Sequence, residues 1–211
     1  MNNTSTHRFK YQVTLAITGA SGTCYALRLL DCLIKSQAEV FLLVSDAASA
    51  VAATETGLTL PTEKSALLAW CQSTLQNQPG QVHVYHKSEW TAPVASGSAI
   101  TRNQMVICPA SMGTLSAIAA GASNNLIERA ADVILKERKK LILVPRETPY
   151  SEIHLENMLK LTRMGVTILP ASPGFYYRPT TIAEMVDFIV ARILQHLKIP
   201  QTLIKAWGEN E

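Results

Sequence analysis

The chain has 211 residues, of which 47% are hydrophobic and only 17% charged, and its formal net charge is +3. Its longest basic run is the three residues 138–140, so nothing indicates nucleic-acid binding, and no apolar stretch has the length of a membrane span. Typical soluble domains carry roughly 25% charged residues. This deficit predicts that other copies of the chain cover part of the surface.

Apolar runs of strand length alternate with segments of helical period, which is the pattern of a parallel sheet covered on both faces. We predict strands at 12–18, 39–45, 82–85, 105–109, 141–145 and 166–169. We predict helices at 22–36, 63–77, 114–121, 124–137, 151–164 and 181–197. The last helix begins with a capping box formed by Thr181 and Glu184. The fold class is therefore α/β, a three-layer α/β/α Rossmann-like fold with a mostly parallel sheet.

We expect one domain over residues 1–211, with a flexible start at 1–10 and a C-terminal tail at 198–211. The start lacks the apolar core of a signal peptide. No CxxC motif occurs, so the cysteines are interpreted as buried free thiols of a cytoplasmic protein. These cysteines are Cys24, Cys32, Cys71 and Cys108.

Charge is unevenly distributed along the chain. Between Trp90 and Ile127 the only Asp, Glu, Lys or Arg is Arg102, whereas Glu128 to Lys140 contains eight such residues. We interpret the charge-poor stretch as one that faces a ligand or a neighbouring subunit rather than water.

Two small-sided loops follow the first and fourth predicted strands. Ligands of open parallel sheets bind at the carboxyl ends of the strands. The segment Gly19-Ala20-Ser21-Gly22 leads directly into a helix, whose free N–H groups favour an anion, although a plain tight turn is the other interpretation. It matches neither the dinucleotide nor the nucleoside triphosphate motif. The segment Ser111-Met112-Gly113-Thr114 has a helix cap as its alternative.

Two further loops carry charge and aromatic rings. Arg146 and Glu147 lie between two prolines and would orient a phosphate or a flavin edge, or form a solvated surface pair. In 170–179, three prolines restrict the unbound loop, so that Tyr176 and Tyr177 could be held ready for a ligand. An aromatic plug over the sheet edge is the alternative there.

The histidines give neither a metal motif nor a catalytic triad. His83 and His86 lie three apart on a predicted strand and should point to opposite faces. No GxSxG elbow occurs. We therefore predict no metal site.

Taken together and in chain order, five segments resemble the UbiX flavin prenyltransferases. They are LAITGASG at 15–22, ASNNLIERAAD at 122–132, VPRETP at 144–149, HLENM at 154–158 and PGFY at 173–176. The resemblance covers nearly all of the chain after about residue 12. It implies a metal-independent transfer of a dimethylallyl group from dimethylallyl phosphate to N5 and C6 of reduced FMN. The prenylated FMN would serve a UbiD-type decarboxylase and ubiquinone biosynthesis.

The resemblance also implies a homododecamer with the active site at a subunit junction, and it suggests roles for individual residues. FMN would be held by Gly19, Ala20, Ser21, Ser45, Ser111, Met112, Gly113, Thr114 and Arg146. The donor phosphate would be bound by Arg129, Lys136, Tyr176 and Arg192. Ser21 and Glu147 would transfer protons. Further residues that would line the site are Glu55, Trp90 and Trp207.

The chemistry suits these residues. Breaking an allylic C–O bond develops negative charge on phosphate and positive charge on the prenyl fragment, so a site needs cations at one end and π faces at the other. Arg129 and Lys136 lie seven apart on one predicted helix and share a face, although a solvated charged face is the other interpretation. The choice between monophosphate and diphosphate donor stays open, as does the role of the segment 96–102.

Two other functions compete with this one. An FMN-dependent cysteine decarboxylase would have a catalytic histidine before the fourth strand, and the segment 98–103 contains none. A flavodoxin-like electron carrier would typically be acidic, whereas this chain has a net charge of +3.

Overall fold

Six strands pair in parallel in one sheet, in the order β3-β2-β1-β4-β5-β6. This arrangement comes from a computed structural model that describes residues 8–205. The strands are β1 (Tyr11–Ile17), β2 (Ala38–Val44), β3 (Val82–Tyr85), β4 (Gln104–Ala110), β5 (Leu141–Pro145) and β6 (Thr167–Ile168). The helices are α1 (Thr23–Lys35), α2 (Asp46–Thr56), α3 (Lys64–Leu75), α4 (Met112–Ala119), α5 (Leu126–Lys136), α6 (Glu152–Arg163) and α7 (Ile182–His196), with a 3₁₀ turn at Pro93–Ala95.

Two hydrophobic cores lie on opposite faces of the sheet because successive strand side chains alternate between its faces. Leu15 and Ile17 of β1 enter the first core, which contains the apolar sides of α1, α3 and α7. Ala16 enters the second core, which contains those of α4 and α5 and Leu161 of α6. The predicted three-layer α/β fold is confirmed.

All six predicted strands are present, although β6 is reduced to two residues. Helix α2 was not predicted, because its sequence DAASAVAATET has no apolar stripe of helical period. It is defined instead by its ends, where the Ser45 hydroxyl accepts from the Ala48 N–H and Gly57 closes the helix in a left-handed conformation.

Helix caps explain several boundaries. The predicted Thr181 capping box is confirmed at the start of α7. Helix α4 begins two residues earlier than expected, because the Ser111 hydroxyl accepts from the Thr114 N–H. His154 completes an unexpected capping box with Ser151 at α6. His86 lies beyond the end of β3, so its placement on a strand with His83 was wrong.

The four cysteines are free, and Cys24 is half-buried rather than buried as expected. Burial raises the pKa of the Cys71 thiol to about 11 and raises that of Cys108 further, so these two thiols stay protonated near neutral pH. Between residues 8 and 205, no helix is long and apolar enough to cross a membrane, and no group of three or more His, Cys, Asp or Glu is arranged for a metal ion.

The charge-poor stretch between Trp90 and Ile127 is in part simply core. It includes β4, in which Met105, Val106 and Ile107 have no accessible surface. The expectation of a ligand or a subunit contact therefore applies only to the loops on either side of this strand.

Candidate active site

The loops after β1 and β4 are joined at the point where the strand order reverses. The buried Thr18 hydroxyl donates to the carbonyl of Pro109 (2.7 Å) and accepts from the N–H of Ser111 (2.8 Å). The Thr18 N–H also donates to the Pro109 carbonyl (3.2 Å). Parallel sheets bind ligands at such a switch point. Thr18 was missed as a site residue, although a hydroxyl at the end of an apolar strand run is a signal that could have indicated it.

The loop after β1 also contacts the start of α2. A Cβ atom at Gly19 would lie 2.5 Å from the Cβ of Ala47, so this close approach requires glycine. The N–H of Ser45 donates to the carbonyl of Ile17 (3.0 Å), which brings Ser45 to the same edge. The structure thus brings together three predicted segments, 19–22, 45 and 111–114.

The first turn of α1 holds an anion, as predicted, but the anion belongs to the protein. The Glu55 carboxylate accepts from the N–H groups of Gly22 (3.0 Å) and Thr23 (2.9 Å). Burial raises the pKa of this carboxyl, but hydrogen bonds from the Ser21 side chain and from these two N–H groups outweigh burial and hold the pKa below its usual range. Glu55 therefore lies beside the Ser21 side chain and uses donors that a ligand phosphate would otherwise take.

Arg146 and Glu147 stand at the end of β5. Arg146 is half-buried as a residue, but its Nε is buried and has no hydrogen-bond partner, so this N–H is not solvated. Glu147 is half-buried, and its carboxylate accepts from the N–H of Thr148 (3.1 Å).

These residues fit FMN. A buried, unpartnered guanidinium N–H requires an acceptor, because such a group costs about 1–3 kcal/mol when it is left unpaired. No atom lies within 4 Å of the Cβ position at Gly113, so there is space above the first turn of α4. The small residues of the 111–114 loop leave room for a flat ring system, and the unpartnered N–H of Arg146 suits a ligand with carbonyl or phosphate acceptors.

Two of the expected donor-binding cations reach one loop. The Arg129 guanidinium donates to the carbonyl of Ala95 (3.1 Å) and pairs with Asp132 (2.9 Å). The Lys136 ammonium pairs with Glu137 (2.5 Å), whose carboxyl lies over Gly97. The hydroxyls of Ser96 and Ser98, 3.0 Å apart, belong to the same loop. The sequence left the role of this segment open, and the structure places it beside both cations.

The other two expected donor-binding residues lie on the opposite side of the sheet. Arg192 is on α7, in the layer of the first core, and donates to Gln195 (2.6 Å). Tyr176 is 73% exposed on the loop before α7, so within one chain this loop is not an aromatic plug. A single chain therefore does not bring Arg129 and Lys136 together with Tyr176 and Arg192.

Trp90, an expected site-lining residue, is 48% exposed. It lies on the segment that connects β3 to β4. Lys87 anchors this segment, because its carbonyl accepts from the Leu126 N–H at the start of α5 (2.8 Å) and its ammonium pairs with Asp46. Trp207 lies outside the described residues.

Known proteins of similar sequence identify the family of this chain. The profile of the family described as Flavoprotein matches residues 1–194. Flavin prenyltransferase UbiX of Pseudomonas aeruginosa is 57% identical over 199 residues, which cover 94% of this chain and 95% of that protein. Flavin prenyltransferase UbiX of Alkalihalophilus pseudofirmus is 45% identical over 96% of this chain and 98% of its own length. The chain belongs to the UbiX flavin prenyltransferases.

Solved structures agree with membership in the UbiX family. AnUbiX in complex with FMN and dimethylallyl pyrophosphate superposes with a TM-score of 0.83 at 36% identity, covering 96% of this chain and all of that one. A dodecameric FMN-dependent UbiX-like decarboxylase from Escherichia coli O157:H7 superposes with a TM-score of 0.82 at 36% identity. The match covers 93% of this chain and 99% of that one. The peptidyl-cysteine decarboxylase EpiD, at 18% identity and a TM-score of 0.57, shares only the fold.

Within this UbiX-type chain, the roles of individual residues stay predictions. The geometry assembles Ser21, Glu55, Ser45, the 111–114 loop and the end of β5 along one edge of the sheet, but it divides the four donor-binding candidates between two layers.

Proposed function

We propose that this protein transfers a dimethylallyl group from dimethylallyl phosphate to N5 and C6 of reduced FMN, giving prenylated FMN for a UbiD-type decarboxylase. The observation that carries the proposal is the 57% identity to flavin prenyltransferase UbiX over 94% of the chain. The fit of FMN to the buried, unpartnered Nε of Arg146 and to the open space at Gly113 supports it.

The chain's own residues would bind and orient the flavin. Reduced FMN, when bound, supplies the electron-rich N5 and C6 positions that accept the prenyl group. The loops 19–21 and 111–114 line the binding surface, with Ser45 at one end and Arg146 at the other. The Ser21 hydroxyl lies beside the Glu55 carboxylate at the start of α1, where it would give or take a proton.

The donor requires charge stabilisation. Its C–O bond breaks with both electrons going to the phosphate oxygen, so cations at the phosphate lower the barrier. Arg129, Lys136, Tyr176 and Arg192 would supply this stabilisation. Glu147, at the rim beside Arg146, would carry a proton between the flavin edge and the leaving phosphate.

We infer that the complete site forms between subunits. The donor-binding candidates are divided between opposite layers of one chain, so no single subunit offers all four to one phosphate. Exposed apolar side chains on α6 provide surface for such contacts. They are Ile153, Leu155 and Leu159. Because an Escherichia coli relative is dodecameric, we propose a homododecamer of single-domain subunits in the cytoplasm.

Release of inorganic phosphate from dimethylallyl phosphate tests this function. Under anaerobic conditions we expect the purified protein to release phosphate with reduced FMN and not with oxidised FMN. Glu147→Gln should keep FMN bound but slow the release strongly. Phosphate release that does not depend on flavin reduction would instead indicate a phosphatase and contradict the proposal.

A further inference from the structure

Glu137 occupies an unusual position at the end of α5. It is the C-cap residue, with φ −85° and ψ 7°, and its carboxylate pairs with the preceding Lys136. A C-terminus is the negative end of the helix dipole and favours cations. The only ion pair recorded for this carboxylate among residues 8–205 is with Lys136, and this pairing lowers the pKa of the Glu137 carboxyl.

The Glu137 carboxylate also covers a backbone position of the neighbouring loop. A Cβ atom at Gly97 would lie 2.2 Å from a carboxylate oxygen of Glu137, so glycine is needed for this contact. Ser96 and Ser98 flank the position with two hydroxyls, and Arg129 binds the carbonyl of Ala95 one residue earlier. The carboxylate thus lies between an ammonium and a loop of small residues.

The two cations of α5 differ in how they are held. Arg129 is anchored to the Ala95 carbonyl as well as to Asp132, so its position does not depend on one carboxylate. Lys136 has Glu137 as its ion-pair partner, and both side chains are about half exposed. A phosphate that binds Lys136 therefore competes with this single carboxylate for the ammonium.

We propose that Glu137 is an internal competitor of the donor phosphate, which occupies Lys136 and the Gly97 position until a phosphate monoester replaces its carboxylate. This proposal rests on the proposed function. Glu137 would weaken binding of the inorganic phosphate product in the same way as binding of the donor, and would therefore favour product release. Exposed ion pairs are weak, so the expected effect is about two- to fivefold in affinity.

The test compares phosphate binding by the full-length, FMN-loaded wild type and by Glu137→Gln and Glu137→Ala. Titration calorimetry with inorganic phosphate should give a Kd about two- to fivefold lower for both variants, and the KM for dimethylallyl phosphate should fall by a similar factor. Asp31→Asn is the control, because it removes one carboxylate that pairs with Lys35 and Arg28 on α1, across the sheet from α5, and should leave both constants unchanged.

A double variant separates competition from a general charge effect. In a Lys136→Ala background, Glu137→Gln should no longer change the Kd for phosphate. An unchanged or higher Kd in Glu137→Gln, or an equal decrease with Asp31→Asn, would overturn the proposal. Phosphate binding needs no turnover, so a wild type that makes no prenylated flavin would count against the proposed function and not against the role of Glu137.

Discussion

Thr18 joins the two loops that border the flavin site through a single hydroxyl. Its Oγ1 both donates to Pro109 and accepts from Ser111, and only 2% of the residue is exposed. A valine of nearly the same shape would take this acceptor from the half-buried Ser111 N–H and would leave the buried Pro109 carbonyl with the residue 18 N–H alone.

We expect Thr18→Val to lower the free energy of unfolding by about 1–3 kcal/mol and to weaken FMN binding, because the 111–114 loop loses its tie to β1. Thermal unfolding and quenching of flavin fluorescence measure the two effects. Thr162→Val, which removes a hydroxyl bonded within exposed α6, is the control and should change neither. Equal behaviour of the two variants would show that the Thr18 hydroxyl does not position the loops.

Arg146 offers a different test. Its buried Nε makes no hydrogen bond in the protein without flavin, so replacing the side chain removes no hydrogen bond of this atom. We expect Arg146→Met to keep or raise the melting temperature of the FMN-free protein while it weakens FMN binding at least tenfold. Arg163→Met, at the exposed end of α6, should leave FMN binding intact. Unchanged FMN affinity in Arg146→Met would remove Arg146 from the flavin site.

At the scale of elements, the site depends on how closely β1, α1 and α2 approach one another. The Gly19 backbone touches Ala47 at the start of α2, and Glu55 near the end of α2 caps α1. Helix α2 therefore acts at both ends on the loop between β1 and α1.

Gly19→Ala should displace the first turn of α2, because the new Cβ would lie 2.5 Å from that of Ala47. Overpacking of this kind costs about 1–3 kcal/mol, and we expect a lower melting temperature together with weaker FMN binding. Gly113→Ala is the stability control, since nothing lies within 4 Å of its new Cβ. A Gly19→Ala protein with wild-type stability and FMN affinity would show that α2 can move away from residue 19 without affecting the site.

The sequence was informative wherever one physical signal dominated. Buried parallel strands are continuous apolar runs, so β1 to β5 were predicted within one residue at each end. Helix α2 consists largely of alanine and small polar residues, and no apolar period marks it. Because α2 was missed, no predicted element placed Glu55 beside Ser21, and only the family resemblance suggested that both residues belong to one site. The capping box at Thr181 was predicted correctly because its residues are neighbours in sequence. Contacts between loops at the edge of the sheet join residues far apart in sequence, so residue spacing does not predict them.

At the scale of the whole molecule, the two helical layers divide the donor-binding candidates. Arg129 and Lys136 project from the α5 layer, while Arg192 and Tyr176 belong to the α7 layer. The low charge of the chain and the exposed apolar residues of α6 are consistent with an assembly in which different subunits bring these groups together.

Mixing two inactive variants tests a shared site. Lys136→Ala and Arg192→Ala homo-oligomers should each be nearly inactive. If Lys136 and Arg192 of different subunits serve one site, dissociation and reassembly of a mixture will restore part of the wild-type rate, because some sites receive both native residues. The rate of prenylated FMN formation is the measurement. Absence of any recovery in verified mixed oligomers would place both residues in one subunit's site.

The most direct test of the central claim is the mass of the flavin after an anaerobic reaction. Purified protein is incubated with reduced FMN and isotopically labelled dimethylallyl phosphate, and the flavin is then analysed by mass spectrometry. The account predicts a flavin heavier by one labelled dimethylallyl group less one hydrogen, because the group replaces the N5 hydrogen and the proton lost from C6 is balanced by one taken up at the prenyl double bond. Recovery of bound but unmodified FMN, with active cofactor and donor present, would contradict it.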